Sequence, residues 1–202
     1  MRIVKFTLFF LTLACSIHAQ QTCAFQKLFT FKPGMSKMVV LDSVNKTYQL
    51  AIADTKTQNL PPYKNSGGDS IINEIVSYKI DNSPCFRGSN TKLFLEFADN
   101  KLYKAYIVTE YSKTAFQDMI SNFNTLRSSI KPYWKYEKEV KISGDNFLGF
   151  GYDYTKQKNA TLKTEKVSLQ YVDVQTNNSA TTYQLELLWA NLENTRMEGS
   201  NY

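Results

Sequence analysis

Two hydrophobic periods run through this chain. Over residues 114–131, Phe116, Met119, Ile120, Phe123, Leu126 and Ile130 recur every three or four positions, with Gln117, Asp118, Asn122 and Ser128 between them. That spacing gathers the apolar side chains on one face of a long amphipathic helix. Thr114 followed three residues later by Gln117 fits a capping box, and Pro132 supplies the stop. A shorter helix is predicted from Ser36 through Met38, Val40, Leu41 and Val44, behind the Pro33-Gly34 turn. Elsewhere the period is two. Residues 93–97 and 102–108 flank Asp99-Asn100, which predicts an antiparallel hairpin. After the long helix, 139–142, 147–154, 167–174 and 182–190 read as successive antiparallel strands. In 147–154, Leu148, Phe150, Tyr152 and Tyr154 share one face. Gly149 and Gly151 on the other would let a helix or a neighbouring backbone come close.

This order predicts an α+β fold: an antiparallel sheet with one long amphipathic helix packed on one face and a short N-terminal helix. Residues 55–70, with Pro61-Pro62 and Gly67-Gly68, read as a loop or linker, and 48–53 as either strand or helix. The loop marks a boundary for a small N-terminal subdomain at 20–60, within what is otherwise a single domain over 20–202.

The first nineteen residues follow a different plan. Arg2 and Lys5 precede an apolar run over 6–14, and Ser16-Ile17-His18-Ala19 follows it. This is the layout of a signal peptide with cleavage before Gln20, which places the rest in a secreted or periplasmic setting. The apolar run is shorter than the roughly 20 residues a membrane-spanning helix needs, and no later segment qualifies, so no transmembrane helix is expected. Thr12-Leu13-Ala14-Cys15 resembles a bacterial lipobox, which would instead make Cys15 the acylated first residue of a membrane-anchored lipoprotein. If the cut follows Ala19, Cys23 and Cys85 remain, and an oxidising compartment favours a disulfide between them.

Composition then removes whole classes of chemistry. His18 is the only histidine in the chain and lies in the leader. The exported protein would therefore lack Ser-His-Asp and Cys-His nucleophilic sites and His-ligated metals. No metal site and no cofactor are expected. The net charge of +6 falls to about +4 once Arg2 and Lys5 leave with the leader, and no basic stripe accompanies it, so a nucleic-acid partner is not expected. Three Ser-x-x-Lys spacings, at Ser43, Ser89 and Ser128, lack the companion motifs of serine acyl-transfer enzymes. Gly149-Phe150-Gly151 lacks the third glycine and the lysine of a phosphate loop.

The segment that stands out chemically is 131–141, where aromatic rings interleave with lysines. Tyr133, Trp134, Lys135 and Tyr136 could stack on a sugar or sit at a lipid headgroup layer. In the alternative, they finish the core at a helix-to-strand junction.

Phe31-Lys32-Pro33-Gly34-Met35-Ser36, with Val40 behind it, resembles the F-x-x-G-[MT]-[ST] helix entry of small bacterial envelope domains of the SmpA/OmlA and β-lactamase-inhibitor-protein type. The likeness covers about fifteen residues, and Leu41-Asp42-Ser43 stands where those families carry a Gly-x-Pro turn. It implies a helix pair on an antiparallel sheet and a role in outer-membrane assembly or in binding another protein.

The expected function is an exported, non-enzymatic binding protein of the cell envelope or extracellular space, contacting a protein, glycan or lipid partner. Two alternatives stand beside it. One is a carrier of a small apolar ligand, its pocket lined by Phe123, Phe150, Tyr152 and Trp189. The other is a hydrolase working through a pair of carboxylates.

Overall fold

The computed structural model describes residues 28, 29, 31, 32, 34–48, 55–64, 68, 70–80, 85, 86, 88–144, 147–159, 162–174 and 182–192. The segments with period two form β1 (Thr55–Lys64), β2 (Ser70–Lys79), β3 (Ser89–Ala98), β4 (Lys101–Ser112), β5 (Lys135–Gly144), β6 (Phe147–Gln157), β7 (Lys163–Val174) and β8 (Thr182–Asn191). Those with the helical period form α1 (Lys37–Tyr48) and α2 (Phe116–Ile130), the latter entered through a 3-10 turn at Lys113–Ala115. The fold is α+β. The eight strands make one antiparallel sheet in the order β1-β2-β3-β4-β8-β7-β6-β5.

The order follows from the connections. β1 to β4 run as a meander, and Asp99 and Asn100 close the β3–β4 hairpin with φ of 47° and 61°. Positive φ at both central residues is the geometry whose twist matches the flanking strands, and Asp and Asn tolerate it. The chain then travels along α2 from central β4 to the far edge. From there β5, β6, β7 and β8 step back until β8 pairs with β4.

Register aligns the core. Tyr78, Leu93, Ile107, Leu187, Leu169 and Tyr152 stand side by side across six strands, as do Val76, Leu95, Ala105, Trp189, Val167 and Tyr154. All of them are buried. Cross-strand neighbours share a face, so two such rows make one continuous apolar surface. Met119, Phe123, Leu126 and Ile130 of α2 belong to the same buried cluster, as do Val40 and Val44 of α1. The Phe123 ring lies 5.9 Å from that of Tyr152 and 5.4 Å from that of Tyr171, edge-on to the second. Buried Asn122 is satisfied by donating from Nδ2 to the Tyr111 hydroxyl at 2.7 Å. At α1, the Lys37 N–H donates to the Asn100 carbonyl at 2.7 Å and the Leu102 N–H to the Met35 carbonyl at 2.9 Å, which joins the helix entry to the β3–β4 turn.

Two expectations need correction, and one strand had no expectation at all. The segment read as a loop at 55–70 is largely strand: β1 pairs with β2 over Thr55–Lys64, with its register shifting between Leu60 and Tyr63 around the two prolines. Pro lacks an N–H, which an edge strand at an irregularity can forgo. β2 adds a second strand that simple alternation conceals, because its buried positions change phase between Asn73 and Val76. The capping box also does not form. The 3-10 turn moves Thr114 past the cap position, and its hydroxyl lies 2.9 Å from that of Ser112 instead. Among the described residues no helix is long and apolar enough to cross a membrane.

Candidate functional site

Where α2 ends, Pro132 prevents the helix from continuing, and the Tyr133 N–H closes the last turn on the Ile130 carbonyl at 3.0 Å. The next residues split by burial. Tyr133 remains 63% exposed while Trp134 turns inward at 6%. Lys135 and Tyr136 then open β5, facing Thr155 and Tyr154 across the β5–β6 pair. The Tyr136 ring contacts those of Tyr152 and Tyr154 edge-on at 6.3 and 6.1 Å.

Tyr133 and Trp134 line an open pocket of about 230 Å³ together with Phe29, Phe31, Lys156, Glu165 and Trp189. Each wall comes from a different part of the chain. Lys156 on β6 and Glu165 on β7 are register partners, which aligns their side chains on one face. Trp189 on β8 pairs with Val167, two residues along β7, and its Nε1–H donates to Glu165 Oε2 at 2.7 Å. One carboxylate oxygen is thereby fixed. The other lies 3.6 Å from Lys156 Nζ, which in turn stands 4.5 Å above the centre of the Trp134 ring. Outside the lining, Lys163 and Glu137 form a further ion pair between β7 and β5.

The pocket is therefore walled by aromatic faces and carries one oriented carboxylate and one movable ammonium. Such an arrangement can hold a small group by stacking, by cation–π attraction and by charge. Among the described residues no group of three or more His, Cys, Asp or Glu is placed to hold a metal ion.

Of the four binding residues read from sequence, Tyr133 and Trp134 line this pocket, and Lys135 and Tyr136 lie beyond it at the start of β5. Lys156 and Glu165 were not legible as site residues. Their signal was present only as a hairpin register, nine positions apart. Of the four residues suggested for an apolar-ligand pocket, Trp189 lines this one. Phe123 and Phe150 instead each pack a ring against Tyr152, at 5.9 and 5.0 Å. Cys85 is buried, whereas Cys15 and Cys23 lie outside the described residues, as does the leader. No family model, no curated protein and no solved structure matches this chain.

Proposed function

We propose that this chain is an exported, non-enzymatic binding module that takes part of a protein, glycan or lipid partner into the pocket at the α2–β5 junction. The observation that carries this reading is the meeting of Tyr133 and Trp134 with a carboxylate already oriented by Trp189. A preformed site of this kind costs little ordering on binding. Within the same reading, α2 lies across one face of the sheet and α1 is the short N-terminal helix beside it. The contacts of Phe123 with Tyr152 and Tyr171 and of Lys37 with Asn100 support that arrangement. The reading also includes removal of 1–19, a Cys23–Cys85 disulfide, and acylation of Cys15 as the membrane-anchored alternative. The likeness of the Phe31–Ser36 entry to SmpA/OmlA and β-lactamase-inhibitor-protein domains points toward binding as well.

The test is direct because both tryptophans of the chain, Trp134 and Trp189, line the pocket. Saturable changes in intrinsic fluorescence on titration with soluble saccharides, lipid headgroups or peptides are expected, and Glu165→Gln should weaken the response. Catalytic turnover of a hydrolase substrate that Glu165→Gln abolishes would replace the binding module with a carboxylate enzyme.

A further inference from the structure

We infer that the pocket recognises a quaternary ammonium group, and that Lys156 occupies the place of this ligand in the structure described here. The inference rests on the pocket being the binding site and names what it takes. Three features converge. First, a cation already sits where a ligand cation would: Lys156 Nζ is 4.5 Å above the Trp134 ring, within the distance at which a ring quadrupole attracts positive charge. Second, Lys156 is loosely held. Its side chain is 46% exposed, and its distance of 3.6 Å from Glu165 is long for a charged hydrogen bond, so displacing it into water costs little. Third, Glu165 is not loose. Its side chain is only 16% exposed and Trp189 fixes one oxygen, so the negative charge stays in position when the lysine leaves.

The lining also selects against other ligands. A sugar needs several donors and acceptors to read its hydroxyls, and the polar side chains here amount to Glu165, Lys156 and the rim hydroxyl of Tyr133, alongside the indole N–H groups. An anion would meet the Glu165 carboxylate and the negative faces of the rings. The volume of about 230 Å³ is below that of sites for drug-sized ligands and suits a single headgroup. A trimethylammonium group has the shape and the charge. Its methyl groups spread over ring faces, and its positive charge needs no hydrogen-bond acceptor.

The experiment titrates the folded protein with choline and with 3,3-dimethyl-1-butanol, which has the same shape and no charge, at constant ionic strength, reading tryptophan emission. Choline should bind at least about tenfold more tightly than the neutral analogue, in line with a desolvated cation–π contact plus one carboxylate. Glu165→Gln should remove most of that difference. Lys156→Ala should tighten choline severalfold by removing the internal competitor. Lys156 is half-exposed near the end of β6 and Glu165 keeps its Trp189 hydrogen bond, so this variant should still fold and melt cooperatively. Phosphatidylcholine vesicles identify the source of the group. Capture on them that free choline reverses means a lipid headgroup, and choline binding without capture means a free cation; either outcome carries the inference.

Equal affinity for choline and its neutral analogue would overturn it, as would weaker choline binding by Lys156→Ala. If choline leaves the emission of both wild type and Lys156→Ala unchanged while a saccharide or peptide shifts it, the inference fails and the binding pocket stands. If no ligand class shifts it, the pocket itself fails as the binding site.

Discussion

At the scale of single residues, the charged groups on the sheet surface opposite the apolar rows are as informative as the pocket. Glu96 accepts from the Tyr103 hydroxyl at 2.8 Å and pairs with Lys104 at 3.1 Å, while Tyr106 stacks on Phe94 with ring centres 4.7 Å apart. Burial, reinforced by Glu96 and Glu186, holds the Tyr106 phenol above its ordinary range. Burial also raises the Glu186 carboxyl, against the opposing pull of a Gln170 hydrogen bond and the Lys104 ammonium. A carboxyl raised on folding favours the folded state at acid pH, and that contribution fades as pH climbs from the ordinary glutamate value through the raised one. Glu186→Gln is therefore expected to melt above wild type at pH 7, with the gap closing below about pH 4.5. Melting curves across that range check it, and an unchanged gap at low pH would assign the effect to packing. Residue identity alone pointed to Tyr133 and Trp134, because rings among lysines are conspicuous wherever they fall. It could not point to Lys156 and Glu165, since an isolated lysine and an isolated glutamate look like any solvated pair.

At the scale of elements, local pattern and actual structure agree where one face is buried and its alternation is clean. The β3–β4 hairpin and the periodicity of α2 meet that condition, whereas β6 was legible from the alternation of its residue types although Gly151–Thr155 are buried on both faces. β6 also answers a question its glycines raise. A Cβ at Gly151 would stand 2.6 Å from the Leu169 carbonyl and 2.7 Å from Gln170 Cβ, and one at Gly149 would stand 2.6 Å from the Tyr171 carbonyl. The close approach is thus by the β7 backbone. Gly151→Ala should cost about 1–3 kcal/mol through forced displacement of that strand, measurable by urea denaturation. A neutral result would mean that β7 yields freely. β1 and β2 were harder to read because Pro61-Pro62 and the change of phase in β2 interrupt period two. The two edges are protected differently: β1 carries the prolines, whereas the exposed β5 carries Lys135, Lys138 and Lys141.

At the scale of the whole molecule, the apolar rows crossing six strands and the helices that share their cluster form one core. The proposed Cys23–Cys85 disulfide would tether the N-terminal segment to it at buried Cys85. Closing a loop of that length stabilises a fold by about 4 kcal/mol in the chain-entropy model, so reduction should lower the melting temperature. The intact non-reduced mass from the native host reports this together with export. A mass beginning at Gln20 and two hydrogens light is expected. An acylated Cys15 would put the domain on a membrane surface, and a retained leader would overturn export. The sequence by itself determined the periods that make α2 and most of the strands, the Asp99-Asn100 turn and the near absence of imidazole, because each depends on neighbours close in the chain or on composition alone. Only the tertiary structure decided that β8 pairs with β4, that β1 is a strand, and that Trp134, Lys156, Glu165 and Trp189 share one pocket. Those depend on register and burial between segments far apart in sequence, where no local pattern states which face meets which.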